Sequence, residues 1–168
     1  MSAKWSAQPI LQQDGGAVVP PFAFERMIIL AEFTNSSTVS VAANQNVPLT
    51  ETAVSGGSCI VHRTGSGLVT LRGITNGQCR ARYKVSFGAN IAAATAVSAV
   101  SVALAINGEP LNSATAIYTP AAVGDYGNVT VSAFIDVPRG CCVTVAAENT
   151  SAQTITVANA ALIAERVA

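Results

Sequence analysis

Residues 80–91 read R-A-R-Y-K-V-S-F-G-A-N-I, and this stretch decides the fold. Ala81, Tyr83, Val85, Phe87, Ala89 and Ile91 fall on one side of an extended chain. Arg80, Arg82, Lys84, Ser86, Gly88 and Asn90 fall on the other. Unbroken period-two alternation over this length defines one long strand with a buried face and a wet face.

The same pattern continues on either side. Val129, Val131, Ala133, Ile135 and Val137 share a face over 128–137. Further β-prone segments are 27–33, 38–42, 59–63, 68–72, 97–106, 114–118, 141–148 and 154–167, the last as one or two strands. Turns separate them at Thr64-Gly65-Ser66-Gly67, Asn76-Gly77, Asn107-Gly108 and Pro138-Arg139-Gly140. No helix start followed by a sustained 3.6-residue period appears. The Ala-rich stretch 92–105 is ambiguous, and its Ser and Val residues tip it toward strand. About eight to ten short strands of this kind predict an all-β chain, a two-sheet antiparallel jelly-roll sandwich.

The first residues differ. Residues 1–26 hold Gln8-Pro9, Asp14-Gly15-Gly16 and Pro20-Pro21, steps that break regular structure. Their apolar residues, including Trp5, Ile10, Leu11, Phe22 and Phe24, follow no period. They read as an extended N-terminal arm preceding a β-sandwich domain at 27–168. Such an arm, carrying the one Trp, is expected to anchor on a neighbouring subunit or another protein.

Composition bounds the function. The chain has 168 residues, enough for one domain that removes roughly 70% of its surface from water. It is 50% hydrophobic and 11% charged, against about 25% charged in ordinary soluble domains. Too little polar side chain exists to cover the surface, so burial against further copies is expected. Nine basic and nine acidic residues cancel, leaving no basic excess for nucleic acid. The start M-S-A-K-W-S-A-Q lacks a secretory pattern, and the apolar run at 92–106 is too short to span a bilayer. The expectation is synthesis in a cytoplasm without membrane association.

A strand of the form Tyr83-Lys84-Val85-Ser86-Phe87 is followed by one ending in Ile106-Asn107-Gly108-Glu109. Next come the strand at 129–137 with its turn Pro138-Arg139-Gly140, then 142–149, then a last strand ending in Ala160-Ala161-Leu162-Ile163. This order resembles the tumour necrosis factor/C1q-like jelly-roll family over roughly residues 45–168. The likeness is greatest to the bacterial and bacteriophage branch, which includes head-fibre and decoration-type virion proteins and the ends of collagen-like surface proteins. The resemblance implies a ten-stranded sandwich and a compact homotrimer whose inner-sheet faces meet near a three-fold axis. There is no Gly-X-Y run, so the chain departs from the collagen-linked members. The arm in its place favours a virion component on a phage capsid or tail. The alternative is a trimeric receptor- or carbohydrate-binding module of a phage or bacterial surface.

Tyr83, Phe87 and Phe134 are the candidate trimer-interface residues. Phe134 shares the wet face of its strand with Thr130, Ser132 and Asp136, which fits either a subunit contact or packing under a loop. The ladder Arg80, Arg82, Lys84 reads as a solvated face. Its alternative role is recognition of an acidic surface glycan. His62 is the one histidine, and no nucleophile-elbow sequence accompanies it, although Asp125 and Asp136 make a triad arithmetically possible. Cys59 lies three residues before it, on the opposite face of a strand. Neighbouring Cys141 and Cys142 face opposite ways in a strand and cannot clamp one metal ion, and a Cys59–Cys79 disulfide has no support from spacing. Some C1q-like trimers bind calcium, but the carboxylates near Asp125 are too few for an oxygen cage. Asn35-Ser36-Ser37, Asn128-Val129-Thr130 and Asn149-Thr150-Ser151 match the glycosylation pattern and read as polar turn and strand residues. No catalytic residue, cofactor or metal site is expected, and the chain reads as non-enzymatic.

Overall fold

A computed structural model describes residues 29–73 and 80–168, Arg80 by its backbone alone. The arm candidates Trp5, Ile10, Leu11, Phe22 and Phe24, the boundary at 26/27, the turn Asn76-Gly77 and Cys79 lie outside the described residues.

Eleven strands and no helix occur among the described residues. They are β1 (Leu30–Asn35), β2 (Val39–Val41), β3 (Glu51–Val54), β4 (Ile60–His62), β5 (Val69–Arg72), β6 (Arg80–Ala93), β7 (Val100–Ile106), β8 (Glu109–Tyr118), β9 (Tyr126–Pro138), β10 (Cys142–Asn149) and β11 (Ile155–Arg166). One sheet has the order β3-β1-β11-β6-β9, with β2 also on β11. The other has the order β4-β5-β10-β7-β8. Every strand pair is antiparallel. The fold is the two-sheet jelly-roll sandwich that the alternation predicts.

The inward face of β6 is the one read from sequence. Ala81, Tyr83, Val85, Phe87, Ala89 and Ile91 are buried. They meet Val69, Leu71, Val102, Leu104, Val143 and Val145 of the second sheet in one core cluster. Tyr83 is fully buried, so its hydroxyl needs a partner. It donates to the Arg72 carbonyl of β5 at 2.6 Å, bolting the two sheets together. Burial holds the Tyr83 phenol above its usual range, with the nearby Cys59 adding to the shift and Arg166 opposing it.

Ile106 pairs with Glu109, so Asn107-Gly108 forms a two-residue hairpin. Both residues have positive φ (52° and 84°), the conformation that a type I′ turn demands and Asn-Gly adopts. Asn107 Oδ1 also accepts from the Thr144 backbone N–H at 3.0 Å, tying the turn to β10.

Several boundaries move. The 97–106 strand begins at Val100. The Gln153 side chain instead holds the loop before it, accepting from Ala96 N–H and donating to the Ala96 carbonyl and Ser98 hydroxyl. β8 begins at Glu109 rather than 114, because the register skips between Ala103↔Thr115 and Ala105↔Pro110 and leaves residues 111–114 bulged. β3 has four exposed residues and no alternation to read. Residues 155–166 form one strand, with a register shift between Ala158 and Ala161 where Asn159 takes φ 52°.

Candidate functional site

The outer face of the first sheet carries most of the candidates. Arg82 lies opposite Asp136 across β6 and β9. Its Nε donates to Oδ1 at 2.7 Å and its terminal nitrogen to Oδ2 at 3.0 Å. This two-pronged hydrogen bond, and then the carboxylate's charge, raise the Arg82 pKa further above its ordinary value. Lys84 has Phe134 on one side and Glu165 of β11 on the other. Two cations of the ladder thus each face a carboxylate. The Arg80 side chain is outside the description.

Phe134 is 67% exposed, and Ile163 shares its face. Among the described residues β9 pairs only with β6, and its other edge has no sheet partner there. Tyr83 and Phe87, the other interface candidates, need correction. They are 0% and 1% exposed inside the chain's own core, because their parity along β6 matches Val85 rather than Lys84.

His62 serves the hairpin. Its Nε2–H donates to the Ser66 carbonyl at 2.8 Å, and its ring lies 4.6 Å from that of Phe33. Nδ1 is buried without a partner among the described residues. Asp136 is engaged by Arg82, and Asp125 sits in the β8–β9 loop, at the far edge of the second sheet from β4. No triad is assembled. Cys59 packs against the core, while Cys141 and Cys142 are exposed and free. Among the described residues no three His, Cys, Asp or Glu side chains cluster as metal ligands. No described helix is long and apolar enough to cross a membrane. A shallow concavity of about 290 Å³ is lined by Thr34, Asn35, Ser36, Asn159, Ala160 and Ala161. The Thr34 and Ser36 hydroxyls at its rim donate to Glu51.

The two ends of the sandwich differ in charge. At one end, where β6 and β10 start and β5, β9 and β11 finish, lie Arg72, Arg82, Asp136, Arg139, Glu165 and Arg166. At the other, the loops 94–99, 119–125 and 150–154 contain a single ionisable side chain, Asp125. Val97 (58% exposed), Val123 (48%) and Tyr126 (50%) stand out there. Tyr126 is missed in the sequence because it sits in the Gly-rich loop 124–127, whereas in space it opens β9 and pairs with Ala92.

The structure is similar to that of Eiger TNF from S. frugiperda, with a TM-score of 0.64 at 14% identity, over 84% of this chain and 93% of that one. It is also similar to the globular domain of zebrafish complement 1qA protein, with a TM-score of 0.51 at 11% identity, over 80% of this chain and 94% of that one. The fold is therefore the TNF/C1q-like jelly roll. No protein-family model matches the sequence. No curated protein matches it either.

Proposed function

We propose that the chain is a non-enzymatic structural protein that works as a homotrimer. In this reading it decorates a phage capsid or tail, or forms part of a fibre, and residues 1–26 anchor it to its particle. Its place of action is then the virion. The observation that carries the trimer is Phe134, 67% exposed on an edge strand. An aromatic so exposed gains most by entering a subunit contact. Ile163 on the same face and the charge content of 11% support it. So does the fold, whose members are typically trimeric. The virion assignment rests on the resemblance and on the Pro- and Gly-broken arm sequence.

Light scattering coupled to gel filtration tests the assembly. The expected mass is three times 17.0 kDa, falling toward one chain in F134S. A mass of 17.0 kDa for the unaltered chain overturns the trimer. Deletion of residues 1–26 is expected to leave a folded trimer that no longer sediments with its particle. Retained sedimentation rules out the anchor.

A further inference from the structure

The charge-poor end of the sandwich holds a group of side chains that the trimer reading does not use. Tyr126 opens β9 with half of its surface exposed. Its directly opposed neighbour is Ala92, so a small group flanks the ring across the strand pair. Gly127 has no room for a side chain, since an added Cβ would lie 2.5 Å from Tyr118 ring carbons. Asn128 follows on the same face of β9, opposite Asn90. Asn128 Nδ2 donates to Asn90 Oδ1 at 3.2 Å. That bond orients both amides and leaves Asn128 Oδ1 and the Asn90 N–H groups for another partner. Alternate residues on a strand lie about 6.7 Å apart, so ring and amide pair fall within one monosaccharide's reach. Asp125, exposed, immediately precedes the ring.

We propose that Tyr126, Asp125, Asn128 and Asn90 form a binding site for a neutral monosaccharide unit of a glycan. A pyranose has an apolar C–H face and a rim of hydroxyls. An exposed phenol ring offers a rigid apolar platform for the first, at low conformational cost. One carboxylate acceptor and two fixed amides suit the second, the few placed polar groups that orient a ligand. The loops of this end contain no cation and one carboxylate, so an acidic sugar is repelled. A single shallow site of this kind binds weakly, and repetition supplies avidity. Only that avidity, and not the site, rests on the trimer reading.

Saturation-transfer NMR on the full chain tests it. The probes are methyl glycosides of glucose, galactose, mannose and N-acetylglucosamine, each at roughly 10 mM, where a site of millimolar Kd is mostly occupied. The methyl glycoside of N-acetylneuraminic acid is the acidic counterpart, and at this excess of ligand it is the site, not the ligand, that fills. At least one neutral glycoside is expected to take up saturation at its ring C–H protons. Y126A is expected to lower that signal at least tenfold, D125N to weaken it, and Y126F to keep it. Circular dichroism and mass are read on every variant, and D125N decides if Y126A misfolds. The site is overturned if no neutral glycoside is saturated, if the signal survives Y126A or is unchanged in D125N, or if only the acidic glycoside binds and R82A removes it. A single-chain mass with intact saturation defeats the trimer alone. A trimer without saturation defeats the site alone.

Discussion

The Tyr83 hydroxyl reaches the Arg72 carbonyl at 2.6 Å, a hydrogen bond from near the start of β6 in one sheet to the last residue of β5 in the other. The Tyr83 side chain is fully buried, while the Arg72 carbonyl belongs to an exposed residue at the end of β5. Y83F is expected to cost about 0.5–1.5 kcal/mol, the net worth of a typical intramolecular hydrogen bond. Urea unfolding of both proteins measures it, with an unchanged slope and a lower midpoint.

The same phenol sets an alkaline limit on stability. Its pKa is raised in the folded state, chiefly by burial. The folded protein therefore holds the proton more tightly than the unfolded chain, whose phenol titrates at about 10. The stabilisation is fully present below that value and is lost as pH rises through the folded pKa. Unfolding midpoints are expected to fall above pH 10 in the unaltered chain, and to fall less steeply in Y83F.

Asn149 is buried and has no spare bonding group. Its Nδ2 donates to the Val41 carbonyl at 3.0 Å and to the Gln153 carbonyl at 2.9 Å. Its Oδ1 accepts from the Ser151 backbone and hydroxyl. N149A is expected to destabilise by about 1–3 kcal/mol or more, because two carbonyls lose their donor. N149D should be worse at neutral pH, since a carboxylate would face those carbonyls. The folded pKa of that carboxyl is then raised above its unfolded value of about 3.9, so the penalty grows as pH rises through that range. Thermal melts at pH 4 and pH 7 check the sign.

Leu104 is fully buried on β7 amid both sheets' side chains. L104A is expected to cost about 2–5 kcal/mol through lost transfer energy and the cavity left behind. An equal truncation at Ile117, 71% exposed on β8, should change stability little. The two midpoints measured side by side test the assignment of inside and outside.

The hairpin at Asn107-Gly108 is expected to resist substitution by a branched residue. Gly108 has φ 84°, a conformation in which a β-branched side chain is strained. G108V should lower the unfolding midpoint although an added Cβ meets nothing within 4 Å there. An unchanged midpoint would show that backbone strain is not the reason for the glycine.

What the sequence disclosed followed local rules. Alternation marked β6 and the inward residues of β9, and Asn-Gly marked the hairpin. The missing parts depend on distant partners. Gln153, across the sandwich end, decides that residues 94–99 bend rather than extend. The bulge at 111–114 hid the first half of β8 behind Pro110 and a break in register. Tyr83 and Phe87 show the other limit: alternation put them on the right face, but an aromatic's size does not say whether that face meets its own second sheet or another subunit. Arg82 looked like an open cation until the register brought Asp136 from 54 residues away. Tyr126 and Asn90 lie on different strands, and only the β6–β9 pairing brings them to one place.

The unpartnered edge of β9 makes assembly and solubility one problem. Those of its amides and carbonyls that β8 of the facing sheet leaves uncovered would serve as a template for an extended peptide. Filament growth on such a rim steepens with chain concentration, so whatever shields it protects the protein from its own kind.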